Sequence, residues 1–222
     1  MELLSVNLGR AKAVGYTDAQ GGVTGIDKRP TSGAVRVFAP GARGVGGSGV
    51  EGDDVCDLRH HGGDHQAVYA YAREDLDVWA KELDRALPNG SFGENLTTCG
   101  VDVNDARIGE RWRIGRDAVL EVASGRIPCR TFAGWLDQKG WVRRFTQAAV
   151  PGAYFRVIEP GEVRVGDPVT LIERPDHEVS VAFWFRAFTT ERALLPRVLA
   201  AGDALDPEAR EAAQTYLSKH GS

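Results

Sequence analysis

The sequence contains no long hydrophobic run. No stretch approaches the roughly 18 consecutive apolar residues of a membrane-spanning helix, so the sequence predicts a globular protein that does not enter the membrane. The N-terminus also lacks the basic and apolar segments of an export signal, because the acidic Glu2 follows the first methionine. We therefore expect a cytoplasmic protein.

Cysteine is scarce and irregularly spaced. The chain has 3 cysteines, Cys56, Cys99 and Cys129, and no CxxC motif. This set does not fit a disulfide framework, a structural zinc site or an iron–sulfur cluster, and no flavin or haem motif is visible. Positive charge is not in excess either, since the formal net charge is −4. The sequence therefore predicts no nucleic-acid polymer as a partner.

Short apolar segments separated by glycine-rich turns fill the chain up to about residue 173. This pattern is typical of an all-β sandwich or barrel with inserted helices. Segments 107–114 and 164–171 share the order basic, β-branched, glycine, acidic, followed by alternating apolar residues. The shared order predicts two strands, each entered through a tight glycine turn.

Helical spacing of apolar residues occurs in two places within this β-rich part. Leu76 to Leu87 reads as one surface helix, and the stretch after Cys129 reads as two helices separated at Gly140.

The composition changes after Glu173, where glycine becomes scarce and helix caps appear. Ser180 is a predicted N-cap, Asp206 with Pro207 is a predicted cap and first helical residue, and Pro196 is expected to start or kink a helix. We therefore predict a β-rich domain at residues 1–175 and a three-helix extension at residues 176–222.

Cys129 is the main candidate for chemistry. It follows Pro128, which restricts the local backbone, and Arg126 and Arg130 flank it. Nearby positive charge favours a thiolate, the form that binds soft metals and transfers sulfur. The alternative is a buried cysteine that acts as a small hydrophobic residue. The flanking arginines oppose that alternative, since burying charge beside an inert thiol is costly.

Three other segments contain candidate binding residues. Lys28 and Arg29 could clamp a phosphate or lie in a solvated loop. Segment 59–65 holds 3 of the 5 histidines, but adjacent histidines in a strand point to opposite faces, which favours a structural or anion-binding role over a zinc site. In the polar segment 92–98, the carboxylate of Glu94 could orient a ligand, but its spacing favours closing a turn.

Taken in chain order, these segments resemble the MOSC domain, a module related to the C-terminal part of molybdenum cofactor sulfurases, and specifically its YiiM-like branch. The most specific motifs are Gly-Glu-Asn-Leu at 93–96 and Pro-Cys at 128–129. Thr-Gly-Ile-Asp-Lys-Arg-Pro at 24–30 and His-Gly-Gly at 61–63 fall in the same order. Residues 178–220 resemble the helical extension of that branch.

The resemblance implies a mainly β fold, a β-barrel with peripheral helices, followed by the small α-helical extension. It also implies an oxidoreductase that uses the molybdenum cofactor (molybdopterin) to reduce N-hydroxylated compounds, such as base analogues of the 6-hydroxylaminopurine type, in detoxification. Cys129 would be the catalytic residue and the molybdenum ligand. The residues expected around the cofactor are Lys28, Arg29, His61, Gly62, Glu94, Asn95, Thr97, Ser124 and Arg126.

Electrons would come from a separate reductase or a ferredoxin-like protein, and the protein would be a monomer or a homodimer. Two other functions stay open at this point. Cys129 could instead carry a persulfide for the assembly of a metal–sulfur centre. The protein could also be a binding module for pyridoxal phosphate or another anion, although no lysine lies in a recognisable Schiff-base setting.

Overall fold

The computed structural model describes residues 1–220, which form a mixed, sheet-rich structure surrounded by helices. Its strands are β1 (Glu2–Gly9), β2 (Lys12–Ala13), β3 (Val23–Thr24), β4 (Lys28–Pro30), β5 (Val35–Val37), β6 (Val68–Ala72), β7 (Leu96–Cys99), β8 (Arg111–Ile114), β9 (Ala118–Gly125), β10 (Ala153–Glu159), β11 (Gly161–Val163) and β12 (Val169–Glu173). Its helices are α1 (Arg73–Glu82), α2 (Arg130–Leu136), α3 (Trp141–Ala148), α4 (Val181–Phe188), α5 (Leu195–Val198) and α6 (Pro207–His220). Short 3-10 turns occur at Asp64–Gln66, Arg192–Leu194 and Leu199–Ala204.

The main sheet has eight strands in the order β12-β8-β9-β10-β6-β7-β1-β4 and is not closed into a barrel. The predicted barrel is therefore not confirmed. The start of β1 nevertheless meets the chain before β12 at an isolated bridge between Glu2 and Pro168. The Leu3 N–H donates to the Asp167 carbonyl at 2.9 Å, and the Val169 N–H donates to the Met1 carbonyl at 3.0 Å. Pro168 is tolerated there because its position in the bridge needs no N–H donor.

Strands β6 and β7 form the parallel pair of the main sheet, whereas its other neighbours are antiparallel. Parallel neighbours need a crossover connection, and α1 lies within the one between them. The pairing continues before β7, where the Asn95 N–H donates to the Tyr69 carbonyl at 2.8 Å. Tyr69 and Asn95 therefore lie side by side at one end of the β6–β7 pair.

The two similar segments predicted as strands are β8 and β12, and they pair with each other, with Val169 opposite Ile114. The predicted helix break at Gly140 is also confirmed, because α2 ends before it and α3 begins after it. Helix α1 ends at Glu82 rather than at Leu87, since Asp84 adopts a left-handed backbone with φ of 49°.

The predicted caps of the C-terminal segment are confirmed. The Ser180 hydroxyl accepts the Phe183 N–H at 3.2 Å at the start of α4. Helix α6 begins at Pro207, as the preceding Asp206 predicted, and Pro196 lies in the first turn of α5. None of the helices in residues 1–220 is long and apolar enough to cross a membrane.

One hydrophobic core extends from the sheet into the C-terminal helices. Helix α4 packs on β9, and all eight residues of that strand are buried. Val181, Phe185 and Val198 of the C-terminal segment belong to the same buried cluster as the sheet residues. The three α-helices after residue 175 match the predicted extension in position, while its status as a separate domain stays a prediction.

Candidate functional site

Cys129 lies where β9 leads into α2, and its half-buried side chain lines a cleft of about 110 Å³, which we call the Cys129 cleft. The segment between β5 and β6 supplies a large part of its walls. Its polar and aromatic lining includes Thr24, Lys28, Ser48, Asp53, Cys56, His61, Gln66, Tyr69, Asn95, Arg126 and Tyr154. Cys129, Lys28, His61, Gly62, Asn95 and Arg126 are thus the predicted site residues that the structure brings together.

Arg126 is the only strongly buried arginine among the described residues, with 6% of its surface exposed. Its Nη1 donates to the Phe92 carbonyl, and its guanidinium lies 4.3 Å from the centre of the Phe132 ring and 5.1 Å from that of Tyr69. Its Nε–H is buried without a hydrogen-bond partner in residues 1–220. The guanidinium thus lies in the cleft wall with an unused donor.

The charge of Arg126 is not balanced by a neighbouring carboxylate. Burial works to lower its pKa, but the side chains of Tyr154, Tyr69 and Cys129 outweigh burial and raise the pKa above its usual value. The side chain is therefore a permanent cation. A buried cation without a carboxylate partner favours an anionic ligand, since an anion would supply the missing charge.

Lys28, in contrast, already has a partner. It points inward from β4, and its Nζ donates to Asp53. The Asp53 carboxylate also accepts the Gly9 N–H at 2.8 Å, the Ser48 hydroxyl at 2.7 Å and the Asn95 Nδ2 at 2.9 Å. Burial lowers the pKa of Lys28, while Asp53 opposes that shift. Lys28, Asp53 and Asn95 therefore form one hydrogen-bonded wall.

Arg29 does not line the cleft. Consecutive side chains in a strand point to opposite faces, so Arg29 leaves β4 on the side away from Lys28. Its Nε lies 2.6 Å from the Asp27 carboxylate, and the side chain is mostly exposed. Of the two members of the predicted phosphate clamp, only Lys28 therefore lines the Cys129 cleft.

The three clustered histidines point in different directions. His60 Nδ1 lies 2.9 Å from Asp57, and His65 Nδ1 lies 3.7 Å from Asp206, whereas His61 lines the cleft. Burial, with help from Arg126, lowers the pKa of His61 to about 4, so its imidazole is neutral at pH 7. Across residues 1–220 no three His, Cys, Asp or Glu side chains are grouped to hold a metal ion.

Gly62 allows the histidine loop to approach the neighbouring chain. Its φ is +82°, and a Cβ atom at this position would lie 2.8 Å from the carbonyl oxygens of both Gly46 and Gly47. A larger residue would therefore displace the loop that carries His61.

Glu94, Thr97 and Ser124 do not line the cleft. The Glu94 carboxylate is fully buried and accepts the Gly90 N–H at 2.5 Å, the Phe92 N–H at 2.9 Å and the Thr97 hydroxyl at 2.9 Å. Glu94 closes the turn that contains Phe92, and the Phe92 carbonyl accepts a hydrogen bond from Arg126. Burial raises the pKa of Glu94. Ser124 lines a neighbouring groove instead.

Several cleft residues were not singled out as site residues from the sequence. Cys56 lies in the loop before the 3-10 turn at Asp64–Gln66 and lines the cleft. Burial and the charge of Asp54 raise the pKa of its thiol. Asp53 and Tyr154 were also missed, although the Gly-Asp pair at 52–53 was a usable signal for Asp53.

Residues 57–170 match the MOSC domain family. A protein named YflK from Bacillus subtilis (strain 168), itself uncharacterised, is 36% identical over 181 residues, which cover 82% of this chain and 77% of that protein. The chain belongs to the MOSC domain family. The crystal structure of YiiM from Geobacillus stearothermophilus superposes with a TM-score of 0.77 and 26% identity, covering 97% of this chain and 98% of that one.

The family match and the superposition on YiiM place the chain in the YiiM-like branch of the MOSC family. A protein named Reductase from Gibberella moniliformis (strain M3125 / FGSC 7600) is 30% identical over 138 residues. That match covers 60% of this chain but 24% of the fungal protein. The shared region is thus one part of a longer protein there.

Proposed function

We propose that this MOSC protein binds the molybdenum cofactor in the Cys129 cleft and reduces N-hydroxylated compounds, with Cys129 as the metal ligand. The observation that carries the proposal is that a thiol and the unpaired, buried Arg126 cation line the same cleft. The MOSC family membership and the relative named Reductase support an oxidoreductase role.

The residues present fit such a cofactor. A thiolate is a soft ligand suited to a soft metal centre, and the orphaned Nε–H of Arg126 is a donor suited to an anionic group. The wall of Lys28, Asp53 and Asn95 adds a neutral, hydrogen-bonded surface. When bound, the cofactor would supply the redox chemistry of the reduction.

The overall reaction would convert R–NHOH, two electrons and two protons into R–NH2 and water, so that the N–O bond breaks and nitrogen is reduced. The electrons would come from a separate reductase or ferredoxin-like protein. In this scheme Arg126 stabilises negative charge in the cleft, and neutral His61 offers a hydrogen bond without adding charge.

The test is the molybdenum content of full-length protein made in a host that synthesises the cofactor. We expect Cys129→Ser to lose most of the metal and the N-hydroxyl reductase activity. Cys99→Ser is the matched control, because Cys99 lies outside the cleft at the end of β7 and donates to Glu74. Equal molybdenum in wild type and Cys129→Ser would remove Cys129 from the ligand role.

A sulfur-carrier role is a distinct outcome of the same preparation. Mass spectrometry of wild-type protein after incubation with a cysteine desulfurase would then show an adduct of about 32 Da on Cys129, the mass of one sulfur atom. Such an adduct in protein that contains no molybdenum would replace the reductase proposal with that of a persulfide carrier.

A further inference from the structure

One wall of the Cys129 cleft is a hairpin formed by β2 and β3, which we call the β2–β3 hairpin (residues 12–24). Its two strands pair at two positions and form a sheet separate from the main one. The hairpin residues that line the cleft are Thr17, Ala19, Val23 and Thr24. Asp18 and Gln20, which alternate with them, are exposed. The hairpin is therefore a thin wall with the cleft on one side and solvent on the other.

The β2–β3 hairpin is fixed at its base but not by burial. None of residues 10–24 is buried, and none belongs to the hydrophobic core. An isolated two-stranded hairpin is only marginally stable in water, and segments with few buried apolar contacts open locally. At the base, in contrast, the Gly9 N–H donates to Asp53 at 2.8 Å and the Ala11 N–H donates to Asp54 at 2.9 Å. The hairpin is therefore free to move as a unit about this base.

Two contacts with α2 hold the β2–β3 hairpin in the closed position. The hydroxyls of Thr17 and Thr131 form a hydrogen bond of 2.8 Å across the cleft. The Tyr16 side chain lies directly against the backbone of Gly134, since a Cβ atom at Gly134 would overlap it. These two contacts join the tip of the hairpin to the helix that begins after Cys129.

A third contact with α2 is an ion pair at the surface. Arg130 lies 3.6 Å from Asp18, and both side chains are mostly exposed, so the pair contributes little to stability. The hydrogen bond between the two threonines exchanges with water when it breaks, so its net contribution is also modest. The closed position of the hairpin therefore depends on contacts that break at low cost.

We propose that the β2–β3 hairpin is a lid, which moves away from α2 to let a ligand reach the inner part of the Cys129 cleft. When the lid closes again, it separates the bound ligand from solvent, as lids of other binding sites do. An anion held by Arg126 would then be shielded from water, which strengthens its attraction to the guanidinium. The lid acts on any ligand of the cleft, so this inference does not depend on the proposed reductase function.

The test measures how fast iodoacetamide alkylates Cys56 in the full-length protein, by mass spectrometry of the Cys56 peptide. Cys56 lines the cleft but not the neighbouring groove that Ser124 lines, so its reaction reports entry into the cleft. The parent protein is Cys129→Ser, in which Cys129 cannot form a mixed disulfide. Adding Thr17→Cys and Thr131→Cys places two thiols at the hydrogen-bonded positions. Mild oxidation then locks the lid with a disulfide, which peptide mapping confirms.

We expect Cys56 to react about ten-fold more slowly in the locked protein than in the parent, because local opening is then prevented. Adding Thr17→Val to the parent removes the hydroxyl that bonds Thr131. Cys56 should then react about two-fold faster or more, since one net hydrogen bond no longer holds the lid closed.

Cys99 is the internal control, because it lies at the end of β7 and does not line the cleft. Its alkylation rate should be the same in all of these proteins. Thr17→Ser with Thr131→Ser keeps both hydroxyls and cannot be locked, so Cys56 should react there as in the parent. Melting temperatures confirm that each variant is folded. A Cys56 rate in the locked protein equal to that of the parent would show that ligands enter by another route, and it would overturn the proposal.

Discussion

At the scale of single residues, three side chains set the charge of the Cys129 cleft. Lys28 is balanced by Asp53, and His61 is neutral at pH 7 because burial lowers its pKa to about 4. Arg126 alone of these three brings a charge without a carboxylate partner. The net charge that Lys28 with its partner Asp53, His61 and Arg126 bring to the cleft is therefore positive, and Arg126 supplies it.

Arg126→Met should abolish anion binding while preserving the fold, since methionine fills similar space without charge. We expect inorganic phosphate to raise the melting temperature of the wild type, because a ligand that binds only the folded state stabilises it. The variant should show no such rise. Methionine leaves the Phe92 carbonyl without its donor, at a cost of about 1–3 kcal/mol. We therefore expect a lower melting temperature without phosphate and judge the variant by the phosphate-dependent rise alone.

Arg130→Met is the control for this measurement. Arg130 is exposed and lies 3.6 Å from Asp18, so its removal should leave the phosphate response intact. The assignment of Arg126 as the anion-binding group fails if Arg126→Met responds to phosphate as strongly as the wild type does.

His61→Gln should weaken the acid sensitivity of the fold. The pKa of His61 is about 4 in the folded protein and about 6.5 when exposed, so the unfolded state binds more protons between these values. The contribution of neutral His61 to stability is therefore complete above pH 6.5 and is lost as the pH falls to 4. Allowing for partial exposure, the loss is about 2 kcal/mol.

Urea unfolding at pH 7 and at pH 4.5 measures this effect. The free energy of unfolding should fall less for His61→Gln than for the wild type, while His60→Gln, which changes an exposed side chain, should behave like the wild type. An identical pH dependence in wild type and His61→Gln would show that His61 is not the buried neutral group.

At the scale of elements, the turn between α1 and β7 supports the cleft through Glu94, which does not itself line it. Glu94 satisfies two backbone N–H groups and one hydroxyl, and this holds the Phe92 carbonyl where Arg126 donates to it. The Glu94 side chain of the Gly-Glu-Asn-Leu motif therefore positions the Phe92 carbonyl, while Gly93 and Asn95 of the same motif line the cleft.

Glu94→Gln should lower the free energy of unfolding by about 1–3 kcal/mol, the range expected when a buried donor loses its acceptor. An amide has one acceptor oxygen, so its NH2 group must face a backbone N–H. Chemical denaturation measures the change. Glu82→Gln, which alters an exposed pair with Arg144, should change stability by less than about 1 kcal/mol, and equal effects of the two variants would contradict the structural role of Glu94.

Local signals predicted most elements, because caps and glycine breaks act within a few residues. Ser180, Pro207 and Gly140 lie at helix boundaries as expected. The predictions that failed concern residues whose surroundings are set by segments far away in the sequence. Lys28 lines the cleft and Arg29 does not, because strand β4 directs consecutive side chains to opposite faces. Cys56 lines the cleft because of where its loop packs. Neither is visible in a few neighbouring residues.

The same distinction applies to the site. Proline, arginine and cysteine close together identified Cys129 and Arg126, and the structure places both in one cleft. The sequence did not show that Asp53 balances Lys28, because 25 positions separate the two residues and β4 must form before they meet. Charge pairing across the fold therefore decides which predicted cation is available to a ligand.

At the scale of the whole molecule, the C-terminal helices are continuous with the sheet. Helix α4 covers β9, and the Val181 N–H donates to the Ala106 carbonyl at 2.9 Å. The contact between α4 and β9 therefore joins the C-terminal helices and the sheet in one hydrophobic core.

A chain truncated at residue 175 should therefore fail to fold cooperatively, because it would expose the apolar face of β9 that α4 covers. A chain truncated at residue 205 is the control, since it keeps α4 and α5 and loses a helix that buries little more than Ala209 and Ala213. Calorimetry should show one unfolding transition for the full chain and for the longer fragment, and none for the shorter one. A cooperative transition in residues 1–175 near the temperature of the full chain would instead establish that the sheet folds without the C-terminal helices.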